Sequence, residues 1–176
     1  VADHSKIEWT DATWNPITGC TPVSSGCANC YAARFAATRG KHLPSRAGLA
    51  ERTTGGFAFN GQVRFNDECL YQPLHWRRPR RVFVCAHADL FHEAVPDKWI
   101  DRIFAIMALC PQHTFQVLTK RAERMREYLS GLDTPEGHMR FGFKSDGSGL
   151  RILTRRHPTP RWPADLRLRQ FPEVTP

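Results

Sequence analysis

Cys20, Cys27 and Cys30 lie within the stretch "TGCTPVSSGCANCYA", residues 18 to 32, in a C-x6-C-x2-C spacing. Thiolates this close together favour soft metals, so zinc and iron-sulfur clusters are the chemistry to weigh. A closed structural zinc site needs a fourth protein ligand. His4, His42 and Cys69 could serve, but none has a fixed short spacing to the trio. A cubane cluster held by three cysteines instead leaves one iron open to a small molecule. On spacing alone, an open iron-sulfur site, a zinc site and a metal-free loop all stand. Cys69, Cys85 and Cys110 are scattered, and a lone cysteine in a run such as "VFVCA" reads as a small buried hydrophobe.

A loop of this kind needs elements to hold it. A strand is expected to end before Cys20, with a helix following from about Ala28 to Thr38, so the cysteine loop joins a strand to a helix. "RVFVCA", from residue 81, has the valine-rich composition of a buried strand. Ile100, Ile103, Phe104 and Met107 then repeat at helical spacing after Pro96, and Pro111 marks the end of that helix. "TFQVLT", 114 to 119, predicts a second strand, and Ala122, Met125, Leu129 and Leu132 a second helix that closes near Gly131. Strand, helix, strand, helix implies parallel pairing. Residues 40 to 62 read as a glycine-rich loop or insertion, and "NDECLYQPLHW" as a short helix broken by Pro73. After residue 137 the periodicity stops, so residues 1–137 are expected to form the domain and 138–176 an irregular basic Pro/Arg-rich tail.

The 176 residues suffice for one ordinary domain, with a 41 % hydrophobic content that supports a real core. No run of about 18 apolar residues could span a bilayer, and the opening residues lack the regions of a secretory signal. The expectation is a cytoplasmic protein without a membrane partner, where thiols stay reduced and metal binding outranks disulfides. The net charge of +8 is uneven: residues 1–137 carry 17 Lys and Arg against 14 Asp and Glu, and residues 138–176 carry eight against three.

"IEWTDATWNPITGC", "GCANCYA", "RRVFVCAHADLFHEAVP" and "PQHTFQVLTKRAERMREYL" together resemble the phage gene-product thirty-seven/sixty-eight family, a three-cysteine-motif family of unknown function. The resemblance covers roughly residues 5 to 132. Members of that family look like distant relatives of radical S-adenosylmethionine enzymes of the spore photoproduct lyase type. The resemblance implies a partial or complete parallel (β/α) barrel and a [4Fe-4S] cluster on Cys20, Cys27 and Cys30. S-adenosylmethionine would chelate the fourth iron and be cleaved to a 5'-deoxyadenosyl radical that abstracts hydrogen from a substrate. Phage association adds a nucleic acid or nucleobase as substrate class, and a partner protein from a neighbouring gene. The sequence departs from the usual radical-enzyme signature in its first gap of six rather than three residues. Asn29 stands where an aromatic usually precedes the third cysteine, and Tyr31, just after it, could take over part of that packing role beside the cofactor or serve as a core tyrosine at the start of the helix. Relatives continue with further strands, whereas a whole barrel needs about 250 residues, so the chain reads as C-terminally truncated.

Catalytic groups in such barrels sit at the C-terminal ends of the strands. His87, Asp89 and His92 follow the first of the two strands above, and Thr119, Lys120 and Arg121 the second. Asp89 could bind a ribose or ammonium group, and Lys120 or Arg121 a carboxylate or phosphate. The structural alternatives are a turn cap for Asp89, packing for the two histidines, and a solvated helix start for Lys120 and Arg121. Trp9, Trp14 and Asn15 read chiefly as core and turn residues. "HWRRPRR" places Arg77, Arg78, Arg80 and Arg81 beside Trp76, a pattern that can grip phosphates and stack a base, or simply form a solvated entry to a strand. Two further functional classes therefore remain beside the radical enzyme. One is a non-enzymatic, zinc-stabilised nucleic-acid-binding protein, and the other is an inactive fragment.

Overall fold

The computed structural model describes residues 5–131, 140–143 and 150–153. Its centre is three short parallel strands: β1 (Ala12–Trp14), β6 (Arg81–Val84) and β7 (Thr114–Val117). The register pairs Trp14 with Val84 and Val84 with Val117. Every second residue faces the core, so Trp14, Val82, Val84, Phe115 and Val117 are buried. They meet Ile100, Ile103, Phe104 and Met107 of helix α3 (Asp97–Leu109), the stripe that the helical spacing predicted. Helix α4 (Ala122–Gly131) follows β7 and packs on the same side, with Tyr128 stacked against Phe91 and Phe104 and donating to Asp101 Oδ1 at 2.6 Å. Thr13, Phe83 and Gln116, on the opposite face, are only half buried. Trp9 covers part of that face, its ring 5.0 Å from Phe83 and its carbonyl accepting from Gln116.

Between β1 and β6 run β2 (Ile17–Thr18), a one-turn 3-10 helix (Ser25–Cys27), α1 (Tyr31–Ala37), β3 (Ala50–Thr53), β4 (Gly56–Phe59), β5 (Arg64–Phe65), α2 (Asp67–Leu70) and a second 3-10 turn (Gln72–His75). The expectation of a loop over 40 to 62 is corrected here. Strands β3 and β4 form an antiparallel hairpin with a two-residue connection, Thr53 standing opposite Gly56, and Gly56 itself, where β4 begins, has a positive φ of 128° that glycine permits. The hairpin hides from a periodicity search because β3 is largely exposed. It lies on α1, where Ala32, Ala33, Ala36, Leu49 and Phe59 form a second small core.

The expected parallel barrel is not formed among the described residues. Beyond β7 the sheet continues as β9 (Leu150–Leu153) and then β8 (Arg140–Phe143), both antiparallel, giving an open order β1-β6-β7-β9-β8. These eight residues also correct the irregular reading of the tail. The outer edge of β7 presents unpaired backbone groups, and a neighbouring segment with strand-like alternation satisfies them. The remaining residues of 138–176 lie outside the described residues. No helix among the described residues is long and apolar enough to cross a membrane.

Candidate functional site

The C-terminal ends of β1, β6 and β7 converge on the cysteine loop. Gly19, just before Cys20, has φ +97°, and a Cβ there would stand 2.1 Å from the Gln62 carbonyl oxygen, so only glycine allows the chain through. Its N–H donates to His87 O, which ties the start of the loop to the segment after β6. That segment bends sharply at Cys85, a buried residue held at φ +56°, whose N–H is bonded to Trp14 O at 2.8 Å. Positive φ is costly for a side chain with a Cβ. The bend turns His87, Ala88 and Asp89 across the strand ends.

Asp89 is only 6 % exposed. Its carboxylate accepts from Phe91 N at 3.0 Å, Thr119 Oγ1 at 2.6 Å, Lys120 N at 3.0 Å and Arg121 Nη1 at 3.2 Å. The bond from Phe91 N is the turn cap that the sequence offered; the other three, which the sequence did not suggest, tie the end of β6 to the end of β7. Arg121 is buried as well. It reaches Glu93 through Nε at 2.8 Å, Thr21 O through Nη2 at 3.3 Å and Cys20 Sγ through Nη1 at 3.6 Å. His92 Nε2 lies 2.7 Å from Thr21 Oγ1, a second tie to the cysteine loop.

Lys120 reaches the same loop from the other side, with Nζ 3.3 Å from both Cys27 Sγ and Ser24 Oγ. A Cβ at Gly26 would sit 3.0 Å from that Nζ, so the small residue leaves the ammonium room. All three cysteines are free thiols. Cys20 and Cys30 rest on the small core beneath α1, with Cys30 as the N-cap residue of that helix. Burial pushes the Cys20 thiol up, against the opposing charge of Arg121. At Cys27 burial is the largest single influence and pushes the thiol up, but hydrogen bonds from the backbone at Val23 and Ser24, from Lys120 and from the Ser24 hydroxyl together outweigh it and bring the thiol down to about 7.

Lysine and arginine against two sulfurs suit an anionic thiolate group. Among the described residues, no three His, Cys, Asp or Glu side chains lie close enough to share a single metal ion. His42 and Cys69 join no such group there, and His4 lies outside the described residues. A multi-iron cluster spreads its thiolates over several metals, and three free thiols on one loop fit that donor set.

A family model described as a protein of unknown function, DUF5131, matches residues 4–167. The chain belongs to the DUF5131 family. The region matched by the DUF5131 model includes the cysteine loop, both strand ends that meet it, and the basic segment after residue 137 as far as 167. No curated protein and no solved structure matches the chain.

The remaining sequence-derived candidates of this DUF5131 protein divide by position. Tyr31 is 58 % exposed, yet its hydroxyl donates to Ala86 O at 2.5 Å and its ring meets His87 edge-on, so it joins α1 to the segment after β6. Asn15 is buried, with Oδ1 accepting the His87 N–H. Trp14 is core, its Nε1 donating to Cys69 O. The four arginines lie elsewhere. Arg81 begins β6 at the end opposite the cysteine rim, about 10–13 Å away at strand rise, and is clamped bidentately to Asp11. That hydrogen-bonded guanidinium holds the exposed Asp11 carboxyl down at about 2. Arg80 stacks over Trp76, 5.1 Å from its centroid, while Arg77 and Arg78 are exposed. Thr21 and Glu93 were not singled out in the sequence, because they enter only through contacts about 100 and 28 positions away.

The Cys27 environment makes a direct prediction. Site-resolved alkylation of the reduced, metal-free chain by iodoacetamide is expected to rise with a midpoint near pH 7 at Cys27 and to lag at Cys20. Lys120→Met moves the Cys27 midpoint upward. Equal labelling of Cys20 and Cys27 at pH 7 would refute this account of the loop.

Proposed function

We propose that this DUF5131 protein is an iron-sulfur protein of radical S-adenosylmethionine-like type, with Cys20, Cys27 and Cys30 as thiolate ligands of a [4Fe-4S] cluster. The observation that carries the reading is a trio of free thiols on a strand-to-helix loop, set at the C-terminal ends of parallel strands. Lys120 and Arg121 stand against two of the sulfurs. The three parallel strands are the part of the fold that a (β/α) barrel would share. When bound, such a cluster supplies one-electron chemistry toward S-adenosylmethionine.

This chain's own residues then have separable tasks. Lys120 and Arg121 offset the negative charge of the thiolates. Asp89 holds both cations in place through the Lys120 N–H and the Arg121 guanidinium. Thr21 and His92 fasten the loop through their side chains, and Glu93 holds the Arg121 guanidinium. The exposed Lys120 ammonium is also positioned to meet a carboxylate or phosphate of a bound small molecule. A nucleic acid or nucleobase is the proposed substrate class.

Anaerobic reconstitution with iron and sulfide is the test. The expected result is roughly four irons and four sulfides per chain, lost in Cys20→Ser, Cys27→Ser and Cys30→Ser but kept in Cys69→Ser. Stoichiometric zinc with no iron uptake would defeat the reading. The zinc-stabilised alternative predicts instead one zinc per chain, with a fourth protein ligand within about 2.3 Å of the metal for sulfur.

A further inference from the structure

Arg46 is nine-tenths buried, yet it lacks the partners that a buried guanidinium ordinarily has. Among the described residues no carboxylate forms an ion pair with it. The guanidinium makes one hydrogen bond among the described residues, from Nη1 to Ser45 Oγ at 2.7 Å, and its Nε is buried with no partner. One face lies over the Phe35 ring, 5.6 Å from the centroid. A guanidinium carries five N–H donors, so most of this hydrogen-bonding capacity is unused. Two other arginines show what a structural role looks like here. Arg64 donates to the Pro44 and Ala47 carbonyls, and Arg124 to those of His92 and Val95. Leaving a buried donor and a largely buried charge without a carboxylate is expensive, which points to a ligand.

Arg46 also lines a cavity of about 260 Å³. Local structure holds it there. The Arg46 N–H bonds to Leu43 O, and Ser45 O accepts from Thr18 Oγ1, which fixes the turn against β2. Gly40 leaves the space that Phe35 and the Arg46 side chain fill, since a Cβ there would come within 2.6 Å of the ring. Asn15 forms another wall. Its Oδ1 is taken by the His87 N–H, so its amide NH2 is the end left to donate. Asn66 pins this wall by donating to Asn15 O at 3.0 Å. Two wall residues could oppose an anion. Glu68 is exposed, so its charge is screened by solvent, and burial pushes the Cys69 thiol up, which keeps it neutral.

We propose that this pocket binds a compact anion, a carboxylate or phosphoryl group, on the Arg46 guanidinium with Asn15 as the second donor. The planar fork of arginine suits either group through two parallel hydrogen bonds. The cavity is smaller than the roughly 300 Å³ at the low end of drug-sized ligand sites, so a small molecule or a single anionic group fills it. The pocket shares no lining residue with the cysteine loop, so the proposal goes beyond the iron-sulfur reading and does not depend on it.

The test is thermal unfolding of the full chain with increasing inorganic phosphate or acetate, at constant ionic strength set by potassium chloride. At least one of the two is expected to raise Tm saturably, and the more effective one identifies the group. Arg46→Gln should weaken the midpoint at least about tenfold, the loss of a charge-assisted contact, while Lys41→Ala, an exposed neighbouring cation, should leave it in place. Asn15→Asp covers the case in which Arg46→Gln does not fold. It keeps an acceptor for the His87 N–H, so it should raise the anion-free Tm by pairing with Arg46 and abolish the anion response. A wild-type chain with no saturable response to either anion overturns the proposal. So does a response that survives Asn15→Asp or a folded Arg46→Gln. The readout needs no cofactor, so its failure leaves the cysteine reading untouched.

Discussion

Asp89→Ala is expected to lower the unfolding free energy by about 3–5 kcal/mol, the usual cost of removing one partner from a buried ion pair. Four donors converge on this carboxylate: two backbone N–H groups, one hydroxyl and the Arg121 guanidinium. Removing it strands the Phe91 N–H in a buried setting, where an unsatisfied group costs about 1–3 kcal/mol, and leaves the part-buried Lys120 N–H at a smaller cost. Arg121 keeps Glu93, at 2.8 Å, so its charge is not left wholly unpaired, and the total should fall nearer the lower end of the range. Asp89→Asn keeps the shape and one strong acceptor and should cost clearly less. Urea unfolding of the two variants measures both values. A loss below about 1 kcal/mol for Asp89→Ala would show that the carboxylate does not organise the two strand ends. The same variant should slow Cys27 alkylation at pH 7, because the Lys120 N–H that Asp89 holds positions the ammonium beside that sulfur.

Local patterns made the central elements legible. The Ile100, Ile103, Phe104 and Met107 stripe predicts α3, and the valine runs predict β6 and β7, because their burial imposes a period on the sequence. Parallel pairing follows from the alternation of strands and helices. The β3–β4 hairpin was not legible, since a strand as exposed as β3 carries no hydrophobic alternation. Nor was the antiparallel edge. A strand added to the free side of β7 is chosen by backbone hydrogen bonding, which leaves little mark on side-chain type, and the resemblance from which a barrel was expected says nothing of it.

The candidate site was legible to a different depth. The cysteine spacing and the strand-end rule picked out Cys20, Cys27, Cys30, Asp89 and Lys120, and the structure brings Cys20, Cys27, Asp89 and Lys120 into one network. What sequence could not supply was direction. Asp89 was open to a ribose or ammonium group or to a turn cap; its bond from Phe91 N is the turn cap, and its bonds from Thr119, Lys120 and Arg121 form a tie to the segment after β7 that neither reading contained. Arg46 gave no signal at all, because its significance is a lack of partners, a property of three-dimensional placement. The arginines of "RRPRR" gave a strong signal and then divided, one clamped to Asp11, one stacked on Trp76 and two exposed.

His87 gives the second large effect, read through pH. Burial, and then the nearby charge of Arg46, push this imidazole down to about 4. Its ring lies between Tyr31 and Phe35, with Nδ1 buried and unpartnered. In the unfolded chain it takes up a proton near pH 6.5. Because the folded value is depressed, the unfolded state binds the extra proton first. The stability held above about pH 6.5 therefore drains as pH falls, and the loss levels off below about 4. A difference of this size corresponds to roughly 3 kcal/mol at full extent. His92 and His113, also pushed down by burial, add to the slope of the wild type. A variant is therefore needed to isolate His87. His87→Phe keeps an aromatic ring against Tyr31 and Phe35, leaves the backbone bonds to Asn15 and Gly19 intact, and has no proton to gain. Urea unfolding at pH 7.5, 6, 5 and 4.5 should show the variant losing less stability than the wild type across this window, with the gap widening at each step down. Parallel profiles would mean that His87 is already hydrated enough to accept a proton in the folded chain, and the packing of α1 on the segment after β6 would then be looser than its ring contacts imply.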